Sequence, residues 1–369
     1  MKFAESQEQR ELRDSVRRFL AEKSPLTAVR EQMDGHDGYD RAVWRQAGEQ
    51  LGLTGIGIPE VYGGAGAGFV EQCIVLEEMG RGLYCAPYFA GAVLAATALT
   101  RCDDEDARKR YLPGIASGEV IATLAVTGDG RTWNGTDTAL AAREDDGTWR
   151  LSGHRGLVLD GHVADLILAA APTPGGVSLF AVPGGAPGLT ATALPTLDQT
   201  RRLARLDFDE APAELIGTAG AAPLEAVMDV AAVALAAQQL GGAQAALDMA
   251  VEYAKVRRQF DRPIGSFQAI KHKCADLLME IESARSAVVY GAWAVAEAAE
   301  DVPVVAPLVK AYASETYLHA ASENIQIHGG IGFTWEHDAH LYFKRAASDS
   351  LLFGDADFHR DRLADRIGI

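Results

Sequence analysis

The sequence predicts an α+β protein whose chain passes through an N-terminal helical domain (1–118), a middle antiparallel β domain (119–218) and a C-terminal helical domain (219–369). Apolar residues near the N-terminus, such as Leu12, Val16 and Leu20, recur at helical spacing. Short β-rich runs bounded by Gly and Pro follow, and a long Ala-rich apolar run occupies residues 226–250. The 369 residues are 48% hydrophobic, which is enough for a large core.

The first part contains two further predicted helices, at 42–51 and 70–81, with a Gly- and Pro-rich segment at 55–68 between them. That segment lacks the GxGxxG and GxxxxGK patterns of phosphate-binding loops, so we interpret it as a turn. Glu77 and Glu78 in the second helix are candidates for paired catalytic carboxylates. Adjacent residues on a helix do not face each other, so the sequence favours a solvated helix face.

The middle part is predicted to form a small antiparallel β domain. Its β-rich runs lie at 121–126, 148–151, 166–170, 177–182, 189–194 and 203–208. Turn signals separate several of these runs: Asp145-Asp146-Gly147, Pro174-Gly175-Gly176 and Pro183-Gly184-Gly185. From about residue 223 the pattern is helical to the end.

Composition narrows the class of protein. The net charge of −17 argues against binding to nucleic acid or to an anionic membrane. The apolar run 226–250 includes Asp229, Gln238 and Gln239, so it is expected to be a buried helix and not a membrane span. The four cysteines have neither metal-site nor disulfide spacing, and the N-terminus is a mixed-charge amphipathic helix without targeting features. We therefore expect a cytoplasmic location.

The stretch 253–268, YAKVRRQFDRPIGSFQ, combines basic residues with a helix end, a turn and a new helix start. Ser266 is a candidate N-cap for the helix beginning near Phe267. Arg side chains beside free backbone N–H groups suit a diphosphate, because guanidinium forms bidentate charge-assisted hydrogen bonds. Taken alone, the stretch is better explained by a solvated, charged helix end.

A second stretch, 324–335, reads NIQIHGGIGFTW. Gly329 and Gly330 are expected to end a helix. Gln326 and His328 precede these glycines, where a ligand could approach the backbone closely. Alone, this stretch is also explained by a helix C-cap.

Together the two stretches resemble the acyl-CoA dehydrogenase flavoprotein family. They match the patterns RxQFxxPIxxFQ and QxHGGxGFT, and residues 58–66, IPEVYGGAG, are similar to a third family motif. The resemblance covers essentially the whole chain in the family order. It implies the acyl-CoA dehydrogenase-like fold, FAD as cofactor, an acyl-CoA substrate, and electron-transfer flavoprotein or a similar acceptor.

The resemblance also implies roles for particular residues. In the family, FAD lies across a subunit interface, with the ring held by one chain and the ADP half by the other. Arg257 would then pair with the diphosphate and Phe260 would pack near it, while Gln268 would line the adenine end. The second stretch would close round the same dinucleotide through Gln326, Gly329 and Gly330.

The catalytic Glu of the family is missing from both positions where relatives carry it. Gly354 stands at one position and Ala231 at the other. Asp355 is a weak substitute, because it is displaced by one residue, up to ~3.3–3.6 Å of backbone. A misplacement of about 1 Å can already lower the rate roughly a hundredfold. We instead expect Asp355 to cap the last helix, 356–367.

The ring-binding segments are altered as well. The first segment reads Thr127-Gly128-Asp129-Gly130-Arg131-Thr132 where relatives have a TExxxGSD-like sequence. In the second, Leu157 replaces a Trp and Leu159 replaces a hydroxyl residue. Leu cannot supply a hydrogen bond to a flavin ring.

An intact ADP half and an eroded ring half predict the non-catalytic partner in a heterotetrameric dehydrogenase. A homologous subunit carrying the Glu would complete the enzyme, as in actinobacterial-type breakdown of sterol side chains and other bulky acyl-CoAs. Three alternatives stay open: a self-sufficient homotetramer using Asp355 or another base, a flavin-free structural relative, and a flavin monooxygenase. His337 and His340 form an HDxH cluster that is better explained by surface polar contacts than by a metal.

Overall fold

The computed structural model describes residues 4–128 and 132–369. The predicted order of helical, β and helical parts is confirmed. The first helices are α1 Gln7–Lys23, α2 Leu26–Asp34, α3 Arg41–Arg45, α4 Phe69–Arg81, α5 Ala96–Arg101 and α6 Glu105–Ser117. The strands that follow are β1 Ala122–Ala125, β2 Leu140–Asp145, β3 Thr148–Leu159, β4 Leu166–Thr173, β5 Gly176–Pro183, β6 Leu189–Ala193 and β7 Leu203–Ile216. The rest comprises α7 Leu224–Val256, β8 Arg258–Gln259, β9 Arg262–Pro263, α8 Gln268–Ala296, α9 Val302–His328, α10 Ala339–Leu351 and α11 Ala356–Ile367.

The chain divides into two compact units that do not follow the sequence order. The helical unit comprises 1–30, 69–84 and 232–369, and the β-containing unit comprises 31–68 and 85–231. The division into domains at residues 118 and 218 remains a prediction. The 55–68 segment begins at the end of one 3₁₀ turn, Leu53–Gly55, and contains a second, Glu60–Tyr62, in otherwise irregular backbone, as expected for a turn.

The β-containing unit holds a seven-stranded sheet in the order β1-β4-β5-β7-β3-β2, with β6 paired to β7. The prediction of a purely antiparallel domain is wrong in one respect, because β1 pairs with β4 in parallel. The long β7 pairs with β3 along most of its length and with β5 at its C-terminal end. Strand β2 was not predicted, because its outer half, Arg143 to Asp145, is charged and exposed.

One face of this sheet forms a buried apolar core. Its largest members are fully or almost fully buried: Leu140, Leu151, Val158, Ile167, Phe180, Val182, Leu206 and Phe208. The β2–β3 hairpin turns at Asp146 and Gly147, which both have positive φ (49° and 77°). Asp and Gly tolerate this region, so the Asp-Gly signal correctly placed the turn, although β2 before it was not predicted.

In the helical unit, α7 is the central helix. It is long and apolar enough to cross a membrane by length and composition alone, yet 94% of its most apolar 18-residue window is buried inside the protein. The expectation of a buried helix is therefore confirmed. Helix α4 crosses α7 at two glycines, Gly80 and Gly241, with so little space that a side chain at either would collide with the other helix's backbone.

The solvated face predicted for Glu77 and Glu78 is wrong. The Glu78 side chain is 1% exposed and accepts hydrogen bonds from Arg13 Nη1 and from Arg17 Nε and Nη2, each at 2.8 Å. Glu77 pairs with Arg13 and with Arg285 of α8. Although the two carboxylates are adjacent on one helix, both reach Arg13 of α1, and each also binds a second arginine. Long Arg side chains from α1 and α8 convert a presumed surface into a partly buried ion-pair network.

Candidate functional site

The basic stretch 253–268 forms a small hairpin, which the sequence indicated only as a tight turn. Helix α7 ends at Val256, and β8 and β9 then pair across the two residues Phe260 and Asp261. Both of these residues have positive φ (52° and 63°), the geometry of a two-residue hairpin turn normally taken by Asn and Gly. Non-Gly residues in this region cost energy and tend to mark functional sites. The backbone N–H of Ile264 donates to the Arg257 carbonyl at 2.8 Å and closes the hairpin.

The hairpin presents Phe260 to solvent. Its ring is 86% exposed and meets Phe267 edge-on, with ring centroids 6.1 Å apart. The guanidinium of Arg262 lies 4.0 Å from the Phe267 ring centroid, a cation–π contact. Phe267 therefore anchors the hairpin tip from the start of the next helix.

The Ser266 cap prediction is wrong. The N-cap of α8 is Phe267, which makes no side-chain capping bond, and Ser266 Oγ donates to the Pro263 carbonyl at 2.7 Å. The physical reason is a 3₁₀ turn over Ile264–Ser266, which places the Ser hydroxyl against the turn and away from the first N–H groups of α8.

Both sequence stretches meet in one small apolar cluster. Ala250 and Ala254 of α7 pack with Ile327 of α9. Ile264, the first residue of the 3₁₀ turn, and Ile270 of α8 pack against this cluster. A Cβ on Gly265 would lie 2.9 Å from the Ala254 carbonyl oxygen, so the turn lies almost on the α7 backbone. The structure thus brings the hairpin and the end of α9 onto the same end of α7.

His328 joins the two stretches more directly. Its ring is buried and stacks on Tyr253 of α7 at 4.2 Å between centroids and packs on His337 at 4.4 Å. Its Nδ1 lies 2.8 Å from the Asn324 carbonyl. Burial lowers the pKa of His328, which keeps the ring neutral and suited to stacking. The roles of Tyr253 and His337 were not predicted, because contacts between distant residues leave no periodic signal.

The predicted ADP-side residues lie on the open surface around this cluster. Arg257, Gln268 and Gln326 are exposed, and none of their side chains has a hydrogen bond or ion pair with the described part of the chain. Helix α9 ends at His328 on Gly329, as predicted, with φ 66° and ψ −145°. A Cβ on Gly329 or Gly330 would meet no atom within 4 Å. These glycines are therefore not required for internal packing, and the space beside them is free for a ligand. Their roles in binding remain a prediction.

The predicted ring-side residues are arranged differently. Leu159 is 2% exposed within the sheet, and its carbonyl accepts a hydrogen bond from Thr123 Oγ1 at 2.6 Å. Leu157 lies at a β-bulge with φ 50°. Of the first segment, Asp129, Gly130 and Arg131 lie outside the described residues.

Arg155, two residues before Leu157, is a buried charged residue in the same strand. Arg155 is fully buried and binds Asp137 Oδ1 at 2.6 Å and the Ala170 carbonyl at 2.6 and 3.0 Å. Burial lowers the pKa of Arg155, although Asp137 opposes the shift. All three guanidinium nitrogens therefore donate to groups of the β-containing unit, the Ala170 carbonyl of β4 and the Asp137 carboxylate before β2.

The structure also shows the surroundings of the two positions at which the family resemblance implies a catalytic Glu. Ala231 is fully buried. Gly354 lies in the turn between α10 and α11 with φ 106°. Asp355 is the N-cap of α11, and its Oδ1 accepts the Phe358 N–H at 2.8 Å, as expected from the sequence. A carboxylate that caps a helix at this distance is committed to a structural hydrogen bond.

The HDxH cluster makes contacts within the protein. His337 Nδ1 accepts the Ala339 N–H at 3.1 Å, and His340 stacks on Trp335 at 5.1 Å. Across residues 4–128 and 132–369, there is no group of three or more His, Cys, Asp or Glu side chains arranged to hold a metal.

A buried histidine beside the Gly354 turn makes stability sensitive to pH. Burial, reinforced by the nearby charge of Lys310, lowers the pKa of His359 from 6.5 to about 3. Between these values the unfolded chain binds a proton that the folded chain does not, so the free energy of unfolding falls as pH drops below 6.5. The slope is at most about 1.4 kcal/mol per pH unit. We expect His359→Leu to flatten this dependence by about that amount, measured by urea unfolding at pH 7, 6 and 5. Equal slopes for both proteins would contradict the prediction.

Comparisons with known proteins identify the family and agree with the observed fold. The "Acyl-CoA dehydrogenase, N-terminal domain" model matches residues 6–119, and the "Acyl-CoA dehydrogenase, C-terminal domain" model matches residues 219–368. Acyl-CoA dehydrogenase IpdE2 of Mycobacterium tuberculosis is 37% identical over 346 residues, covering 94% of this chain and 93% of that protein.

Two solved assemblies have the same fold. A variant of the Tcur3481-Tcur3483 steroid ACAD is 33% identical with a TM-score of 0.90, covering 98% of each chain. The ChsE4-ChsE5 complex from Mycobacterium tuberculosis is 30% identical with a TM-score of 0.90, covering 100% of this chain and 99% of that one.

Proposed function

The chain belongs to the acyl-CoA dehydrogenase family, and from that premise we propose that it is the non-catalytic subunit of a heteromeric acyl-CoA dehydrogenase. It would complete the FAD site of a homologous subunit that carries the catalytic Glu. Its membership of the family makes it part of an oxidoreductase acting on acyl-CoA thioesters. The finer assignment concerns which half of the active site this chain supplies.

The observation that carries the proposal is the contrast between the two predicted halves of the flavin site. On the ADP side, Arg257 is exposed and unpaired within the described residues, and Gly329 and Gly330 border free space. On the ring side, Leu159 is buried, and the buried Arg155 donates to the Ala170 carbonyl and to Asp137. Residues of the first kind fit a bound dinucleotide, and residues of the second kind do not fit a flavin ring.

Each ADP-side residue has a physical role in this proposal. The Arg257 guanidinium would hold the diphosphate through bidentate, charge-assisted hydrogen bonds. Gln268 and Gln326 would offer amide donors and acceptors, and Phe260 an exposed apolar ring. Because the protein carries a net charge of −17, local basic residues are needed to attract an anionic cofactor.

Bound FAD would accept the β-hydrogen of the acyl-CoA as a hydride. Removal of the α-proton requires a desolvated carboxylate, which this chain lacks at the two family positions. The Glu of the homologous subunit would serve as that base. The present chain would contribute binding and exclusion of water from the shared site.

The similar solved structures support a proposal for the class of substrate and the class of partner of this chain. The solved assemblies with this fold include a steroid acyl-CoA dehydrogenase and a two-component complex. They support a bulky, sterol-derived acyl-CoA as substrate and a heterotetramer as the working assembly. We further propose electron-transfer flavoprotein or a similar protein as the acceptor, in the cytoplasm.

The proposal predicts that FAD in the assembled complex depends on Arg257. We expect Arg257→Ala to weaken FAD binding by about 10- to 100-fold, because a hydrogen bond to a charged group contributes roughly 1.5–3 kcal/mol. The measurement is the flavin-to-protein ratio of the complex, co-expressed with a Glu-bearing homologue, after dialysis. Lys255→Ala is the matched control, since Lys255 is exposed and pairs with Glu252 on the helix surface. Equal flavin loss in both variants would leave only a general charge effect and would overturn the role of Arg257.

Expression of the chain alone separates the alternatives. The partner-subunit proposal expects little or no FAD on the isolated chain and one FAD per pair in the complex. One FAD per isolated chain would favour the self-sufficient homotetramer, for which Asp355→Asn should then abolish activity. Unchanged flavin content in both Arg257→Ala and Gln326→Ala would favour a relative that no longer uses this site.

A further inference from the structure

The turn between α10 and α11 is unusually constrained for a position that carries a long acidic side chain in relatives. Phe353 and Gly354 both have positive φ, 62° and 106°. The Gly354 N–H donates to the Leu351 carbonyl at 3.1 Å. Immediately afterwards, Asp355 caps α11 through the Phe358 N–H. The turn is therefore short and is tied at both ends.

Phe358 occupies the space that a side chain at residue 354 would need. An ideal Cβ built on Gly354 lies 2.2 Å from Phe358 Cδ1, 2.8 Å from Cε1 and 2.9 Å from Cγ. Real carbon atoms do not approach so closely, because van der Waals contact between carbons lies at about 3.5–4.0 Å. The three atoms include Cγ, the ring atom nearest the backbone, so the collision is not confined to the far edge of the ring.

The backbone of the turn is not free to move away from Phe358. The Nζ of Lys310, which is fully buried in α9, lies 3.3 Å from the Gly354 carbonyl and 3.1 Å from the Asp349 carbonyl. It also donates to Ser314 Oγ at 2.8 Å. On the other side, His359 is 1% exposed and fixes the first turn of α11 in the core. If the turn shifted, this buried ammonium would lose its hydrogen bond to the Gly354 carbonyl.

We propose that Phe358 acts as a plug that closes residue 354 to any side chain, so that a catalytic carboxylate is excluded from this position by two residues, Gly354 and Phe358, and not by one. Lys310 is a positioning residue that holds the turn against the plug. The meaning of this inference rests on the proposed non-catalytic function. It extends that function, because reinstating the family Glu by Gly354→Glu would place the side chain against Phe358 and not at the position of the base.

A double-mutant cycle on thermal stability tests the plug. We expect Gly354→Ala to lower Tm by several degrees when Phe358 is present, and by less than half as much in a Phe358→Ala background. The strain of placing Ala at φ 106° is common to both backgrounds, so only the steric collision differs between them. Equal decreases in Tm would assign the whole effect to backbone strain and overturn the proposal.

Folding failure does not leave the question open. If Gly354→Ala is insoluble while Gly354→Ala/Phe358→Ala is soluble, the plug is supported. If both are insoluble while Phe358→Ala is soluble, the collision is not the decisive effect and the proposal fails. The FAD measurements on Arg257→Ala and Lys255→Ala do not involve this turn, so the plug and the proposed function can fail separately.

Discussion

Replacing Gly241 by Ala is expected to destabilise the protein severely. Its Cβ would lie 1.8 Å from the Glu77 carbonyl oxygen and 2.7 Å from the Glu77 carbonyl carbon, both backbone atoms of α4. On a free helix the same change would stabilise by about 1 kcal/mol, because Ala is the better helix former. Here α4 and α7 must separate, and overpacking of this kind costs roughly 1–3 kcal/mol or more. We expect a destabilisation at the upper end of this range, or loss of soluble protein, because the Cβ would collide with rigid backbone atoms and not with a flexible side chain.

The reciprocal contact supplies a second variant and a control. A Cβ on Gly80 would lie 1.9 Å from the Gln238 carbonyl oxygen, so Gly80→Ala should behave like Gly241→Ala. A Cβ on Gly82, two residues further along, would lie no closer than 3.6 Å to another atom. Gly82→Ala should therefore melt within about a degree of the unmodified protein. Thermal unfolding of the three variants compares them, and a near-native Tm for Gly241→Ala would mean that the helices do not touch.

Removing the carboxylate of Glu78 is expected to have the other large effect. Glu78 is the shared acceptor for Arg13 and Arg17, and its own side chain is 1% exposed. Breaking a buried pair by removing one partner costs about 3–5 kcal/mol, since the remaining charge stays uncompensated. Arg17 is 49% exposed and can rehydrate, and Arg13 keeps its pairs with Glu5 and Glu77, so we expect Glu78→Gln to lower the free energy of unfolding by about 3 kcal/mol, the lower end of this range. Urea unfolding at pH 7 measures this, and Glu22→Gln, an exposed pair with Lys23, should change it by less than about 0.5 kcal/mol.

The same variant should change the acid sensitivity. Burial raises the pKa of Glu78, but the hydrogen bonds from Arg17 and Arg13 outweigh it, and the net shift is downward. A carboxylate with a lowered pKa stabilises the fold above its unfolded pKa and loses this contribution as pH falls through its folded pKa. The difference between Glu78→Gln and the unmodified protein should therefore shrink in strong acid. A difference that stays constant down to low pH would argue against an ionised Glu78.

Local patterns were sufficient to predict much of this protein. Three correctly predicted features depend only on residues close together in the sequence: the 3.6-residue periodicity of α1, the Asp146-Gly147 turn and the end of α9 at Gly329. Asp355 as the cap of α11 is another, because an N-cap needs only the four residues it spans. The family motifs around Arg257 and Gly329 could likewise be identified from the sequence alone. The sequence also shows that Gly and Ala, and not Glu, occupy positions 354 and 231.

Only the tertiary structure decided the features that depend on residues far apart in the chain. Glu78 was assigned to a solvated surface because its own helix could not reveal Arg13 and Arg17, more than sixty positions earlier. Ser266 failed as a cap because packing of Ile264 on α7 imposed a 3₁₀ turn first. No sequence pattern predicts the contacts of Gly241 and Phe358. Gly241 lacks a side chain and so lets α4 approach α7, whereas the Phe358 ring fills the space beside Gly354. Local hydrogen bonds and periodicity act over one or two turns, whereas close packing is a property of surfaces that meet only when the chain has folded.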